Sequence, residues 1–133
     1  MDEYLKRWLL LALEDLKIAR HEISQPKEEM ATIGVCFHAQ QAAEKCLKAY
    51  LVSRSAEFEK THSLEYLIKL CTKEDKKFST LNVGNLTDYA VQVRYPDDFF
   101  IPSVNEAKRC LKLAENIKDF VLQKLKISEE ELK

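Results

Sequence analysis

The sequence predicts an all-α fold, a compact up-and-down bundle of about five helices. Three observations predict it. Apolar residues recur at spacings of three and four, with no strand-like alternation. Only two glycines and three prolines occur in 133 residues, too few for the many turns of a strand-rich fold. The prolines, Pro26, Pro96 and Pro102, fall where helical patterns break. The length suits one domain spanning residues 1–133 and is enough to bury a core.

The elements follow in order. Helix 1 is expected over about Asp2–Ser24, where Leu5, Leu9, Ala12, Leu16, Ala19 and Ile23 make one stripe. Tyr4, Trp8, Leu10, Leu11 and Leu13 add more apolar surface than one core needs. That excess points either to a subunit contact or to Trp8 covering the end of the bundle. Helix 2 begins between Pro26 and Met30 and reaches about Arg54, with Glu28 and Glu29 at its positive end. Its apolar residues cover more than half the circumference, the mark of a central helix. A polar connection around Phe58 leads to a short helix 3, from Thr61 or His62 to about Thr72, with Thr61 as its N-cap.

The mixed charges of Lys73–Lys77 read as a solvated run. Helix 4 is expected over about Leu81–Val93 and must stop there, because Pro96 pushes Tyr95 out of helical geometry. Ser103 and Glu106 fit a capping box at the start of helix 5, which buries Ala107, Cys110, Leu111, Ala114, Ile117, Val121 and Leu125. Residues 128–133 repeat the capping pattern in a tail expected to fray.

Composition narrows the functional classes. The chain carries 21 basic and 22 acidic residues, a net charge of −1, which argues against non-specific binding to nucleic acid or membrane. Cys36, Cys46, Cys71 and Cys110 lie on apolar helical faces without metal-ligand spacing, and read as buried thiols of a reducing compartment. The start lacks the basic region of a signal peptide, and the apolar run Trp8–Leu13 is too short to span a bilayer. A cytoplasmic protein with no membrane contact is the expectation. No pair of histidines has a metal-binding spacing, and no phosphate loop or nucleophile elbow occurs, so neither metal nor cofactor is expected.

The run Phe37–Leu51 carries the chemistry. It sets Gln40 and Glu44 on one stripe with Ile33, Phe37, Leu47 and Leu51, and a buried amide and carboxylate demand partners. Trp8 with Asp15-Leu16, the segment Cys36–Lys45 with Lys48, His62-Ser63-Leu64, and Arg94-Tyr95-Pro96-Asp97 together resemble the HEPN domain. The likeness is to the small prokaryotic type often encoded beside a minimal nucleotidyltransferase, and it covers almost the whole chain. It implies a HEPN-like helical bundle, a homodimer, a nucleotidyltransferase partner in a toxin–antitoxin-like system, and a nucleotide or RNA ligand. Many family members are ribonucleases using an Arg-x4–6-His motif, in which arginine steadies phosphate and histidine moves a proton. No histidine follows Arg94 here, and Arg54 and His62 are separated by seven residues, across the second connection. A family-type nuclease site is therefore not expected.

The ligand-binding candidates are Gln40, Gln41, Glu44, Lys48, Arg94, Tyr95, His38 and Lys45. Arg94 is read as a cation at a helix end, as a buried partner of Glu44, or as a bidentate phosphate grip. Gln40 and Gln41 either satisfy neighbours or read a base edge, and Tyr95 either packs or stacks on a base. His38, Lys45 and Lys48 share the polar side of helix 2 as solvated groups or as a small cationic site. His38 could carry a proton, but the sequence shows no orienting acid for it. His62, at a helix start, reads as structural. Three functions follow: a nucleotide-binding and interaction module, a ribonuclease toxin with a non-standard Arg/His site, or a purely structural oligomer. The first is favoured, because the usual histidine is missing.

Overall fold

The chain builds outward from two long antiparallel helices whose facing sides are rich in alanine. α1 spans Glu3–Ile23 and α2 spans Thr32–Ser53. Ala12 and Ala19 of α1, with Ala39, Ala42, Ala43 and Ala49 of α2, are fully or almost fully buried, which lets the two backbones approach closely. A computed structural model describes residues 1–90 and 100–133. Arg94 and Tyr95 lie outside the described residues, and so do the last residues of the expected fourth helix.

Local chemistry sets the ends. Asp2 caps α1 by accepting from the Tyr4 amide at 3.3 Å. Pro26 does not open α2. It precedes a separate 3-10 turn, Lys27–Glu29, and α2 begins only at Thr32. Glu22 accepts from the Ala31 amide at 2.8 Å and holds this connection to the end of α1. α3 spans Leu64–Glu74 and is capped by Ser63, not Thr61; the Thr61 hydroxyl instead accepts from the Ser63 amide. The charge run after it is mostly exposed, although Asp75 pairs with Lys124 at 2.8 Å.

The expected fourth helix is not formed over its described part. A 3-10 turn, Lys76–Thr80, precedes the stretch and another, Leu86–Tyr89, lies within it, with Gly84 at φ +50° between them. A left-handed residue there interrupts helix propagation. A Cβ at Gly84 would lie 2.8 Å from Arg109 Nη1 and 3.2 Å from Leu113 Cδ1. Gly84→Ala should therefore lower stability by roughly 1–2 kcal/mol, combining backbone strain with the clash, and thermal denaturation would read it.

α4 spans Val104–Leu125. Its cap is half of the expected box. Ser103 accepts from the Glu106 amide at 3.0 Å, but the Glu106 carboxylate serves Tyr89 Oη at 2.9 Å, Asn85 at 3.2 Å and Arg109 at 2.9 Å. Chiefly through Arg109, that carboxyl is held below its ordinary range. α4 packs on α2, closing a core that includes Leu16, Leu47, Leu51, Leu64, Leu67, Phe78, Leu86 and Ile117. Among the described residues the α-helices number four, and no strand occurs.

All four cysteines are buried and unbridged. Burial pushes the Cys46 and Cys71 thiols up to about 12, so neither is a ready nucleophile. The tail expected to fray forms a turn packed on the bundle. Ser128 and Glu131 complete a reciprocal capping box on the 3-10 turn Glu129–Leu132, and Leu132 is buried with Leu5, Leu9, Ala49 and Leu122. Charge fixes the same turn. Glu129 reaches both Arg20, at 3.4 Å, and the buried Lys118, at 3.1 Å. No described helix is long and apolar enough to cross a membrane.

Candidate functional site

The buried carboxylate on α2 has partners. Glu44 is 5% exposed, and its two oxygens are divided among three donors. Lys48 Nζ, one turn further along α2, lies 2.9 Å from Oε2. His62 Nδ1, from the connection before α3, lies 2.9 Å from Oε1, and Gln40 Nε2 donates to the same oxygen at 3.3 Å. Gln40 also donates to the His62 carbonyl at 2.9 Å, while its own side-chain oxygen accepts from Gln41 at 2.7 Å. A helix and a loop are thus joined by a chain of polar groups.

Lys48 is not on a solvated face. It is 7% exposed, with its ammonium 5.8 Å from the Trp8 ring and 5.9 Å from the Phe58 ring. Those two rings meet edge to face at 6.4 Å. The ammonium is therefore held in place by one carboxylate and two aromatic rings. An ammonium has three donors and Glu44 takes one. The same face opens on a pocket of about 400 Å³ lined by Lys48, Lys60, Thr61 and His62. The His62 side chain is 62% exposed at its rim, with Nδ1 occupied by Glu44 and Nε2 left as its outward polar atom.

A second cluster lies further along the same α1–α2 seam. Asp15 of α1 is 7% exposed, with one oxygen 2.8 Å from His38 Nδ1 and the other 2.5 Å from Lys45 Nζ. The side chains of His38 and Lys45 are 20% and 22% exposed, so this stretch too is covered and not solvated.

The predicted residues thus fall into two groups. Gln40, Gln41, Glu44 and Lys48 come together, and His38 and Lys45 form a separate centre. Three residues were not among the predicted ligand-binding set. His62 completes the first group across the second connection. Asp15 supplies the orienting acid that His38 lacked in the sequence, and Lys60 adds a cation to the pocket wall. Asp15 carried a signal of its own, since at 100° per residue it falls beside the buried stripe of α1.

A family model for the HEPN domain matches residues 5–126. The chain belongs to the HEPN family. Neither the curated proteins nor the solved structures give a significant match. The HEPN match takes in every helix from Leu5 onward and both polar clusters. It ties the bundle to a family of nucleotide- and RNA-related modules. Among the described residues of this HEPN domain, no group of three or more potential ligands could hold a metal ion.

Proposed function

We propose that this HEPN domain is a nucleotide-binding and interaction module that works with a nucleotidyltransferase partner. The observation that carries the binding half is the Glu44 bridge. One buried carboxylate pins an ammonium and an imidazole side by side on the wall of an open pocket, with Lys60 and Thr61 beside them. Pre-positioned donors bind an anion without ordering cost at the moment of binding. The pocket-lining connection also runs directly into the N-terminus of α3, where the helix dipole favours negative charge. A phosphate group fits this chemistry: Lys48 and Lys60 supply charge, the Thr61 hydroxyl and His62 Nε2 supply directed hydrogen bonds.

A binding role is favoured over a nuclease because no histidine follows Arg94 in the sequence. The partner half rests on the family likeness alone, and co-purification with the product of an adjacent gene tests it. Calorimetric titration with adenosine mono-, di- and triphosphate and with a short RNA tests the site. Lys60→Glu, on an exposed side chain, is expected to weaken binding at least tenfold while leaving the thermal midpoint in place. No heat of binding with any of these probes, or a Lys60→Glu variant that binds as well as the wild type, would overturn the pocket assignment.

A further inference from the structure

Hydrogen-bond donors outnumber acceptors in the pocket beside Lys48. Glu44 commits both carboxylate oxygens to Lys48, His62 and Gln40, and no acid lines the pocket wall. Lys48 keeps two N–H groups after that pairing. Lys60 is exposed and has no ion-pair partner among the described residues. The Thr61 oxygen accepts from the Ser63 amide at 3.0 Å, which leaves the hydroxyl hydrogen free to donate. One more donor stands beside them. Among the described residues, Nε1 of Trp8 is the single buried side-chain nitrogen or oxygen with no hydrogen-bond partner. It belongs to the ring 5.8 Å from the Lys48 ammonium. Buried N–H groups in native proteins are answered, so an orphan packed against the cation of an open pocket calls for an acceptor.

One atom of the wall acts the other way. Nδ1 of His62 lies 2.9 Å from Glu44, and an ionised carboxylate only accepts, so the ring hydrogen sits on Nδ1. In the neutral ring, Nε2 is then an acceptor on the exposed side. The matching ligand is rich in acceptor oxygens and has one hydrogen to give. Phosphate chemistry divides into two classes here. A terminal phosphate monoester has three free oxygens, a charge of about −1.5 to −2 at neutral pH and a proton that exchanges near about pH 6. An internal phosphodiester has one free oxygen fewer, a single charge and no such proton.

Taking the nucleotide-binding reading of this pocket as given, we propose that it selects a terminal phosphate monoester over an internal phosphodiester, with the Trp8 indole N–H as one of its donors. Lys48 and Lys60 face the larger charge, and Thr61 donates to one oxygen. The exchangeable proton bridges a second oxygen and His62 Nε2. Nε1 of Trp8 is closed to solvent, so a phosphate oxygen reaches it as the Lys48 ammonium shifts toward the ligand. The site therefore reads the end of a nucleotide or of an RNA strand, and not its middle.

Calorimetric titration with adenosine 5′-monophosphate and with its methyl ester isolates the difference, because the ester keeps base and sugar and only caps the phosphate. The ester is expected to bind at least tenfold more weakly. A short RNA with a 5′-phosphate should bind at least tenfold more tightly than the same RNA ending in hydroxyls. Equal affinities in either pair overturn the selectivity and leave the phosphate pocket in place. Silence with all four probes overturns both. Trp8→Phe keeps an aromatic ring and removes the N–H. It should weaken monophosphate binding at least threefold with the thermal midpoint unchanged or raised, since the buried orphan goes with it. Trp8 is the sole tryptophan, so its emission in the wild type should shift on titration with the monophosphate and reads the same contact without a mutation. A Trp8→Phe variant that binds as the wild type does, or emission indifferent to saturating monophosphate, overturns the role of the indole.

Discussion

Glu44→Ala is expected to cost about 3–5 kcal/mol of folding stability, the range found when one partner of a buried ion pair is removed. The physical reason lies in what would be left behind. Lys48 is 7% exposed, and without the carboxylate its ammonium would keep only the Trp8 and Phe58 rings for company. Gln40, fully buried, would lose one of its two acceptors, and the loop carrying His62 would lose its anchor. Two further variants separate charge from shape. Glu44→Gln keeps a carbonyl oxygen for one donor and should fall between Ala and wild type. The pair Glu44→Leu with Lys48→Met removes both charges and should recover most of the loss, as apolar replacements of buried pairs often do. Urea denaturation with an unchanged slope reads all three. A Glu44→Ala variant within 1 kcal/mol of wild type would mean that water reaches Lys48 freely, contrary to its burial.

The second large effect belongs to Phe78. It is fully buried although it sits in a 3-10 turn, with its ring 4.4 Å from that of Tyr50 and 4.9 Å from that of Phe120. One side chain from an irregular segment thus joins α2 to α4. Phe78→Ala should cost about 3–5 kcal/mol, the transfer free energy plus the cavity left between two helices that cannot collapse onto it. Phe78→Leu fills part of that space and should lose less than half as much. Equilibrium unfolding followed by circular dichroism distinguishes them. Equal losses for both variants would show that the ring contacts, not the volume, dominate.

The long helices were legible because each carries its stripe within its own sequence. Leu5 to Ile23 of α1 and Ala107 to Leu125 of α4 repeat at helical spacing over five turns or more, and tertiary context only had to agree. The stretch after Asp75 was not. Leu86 and Tyr89 keep helical spacing in either an α-helix or a 3-10 turn, and what decides between them is Gly84, whose close approach to Arg109 and Leu113 is a tertiary fact. The packing of the tail was hidden for a similar reason. Its capping box was visible, but the pocket for Leu132 is made by α1, α2 and α4 together.

Within the candidate site, the need for partners around Gln40 and Glu44 could be read from their place on an apolar stripe. Which groups answer could not. Lys48 is a local neighbour, one turn away, whereas His62 lies 18 residues off and arrives by way of the second connection. Lys45 and Lys48 look solvated on a helical wheel because the wheel knows nothing of α1, which covers them with Trp8 and Asp15.

That covering has a mechanical consequence. Alanine faces pack closely, but they are smooth, and two smooth helices can slide along one another at little cost. Asp15 bolts α1 to α2 at two points a couple of turns apart, through His38 and Lys45, and a slip of one turn would break both. One carboxylate thereby sets the register between two long packed helices.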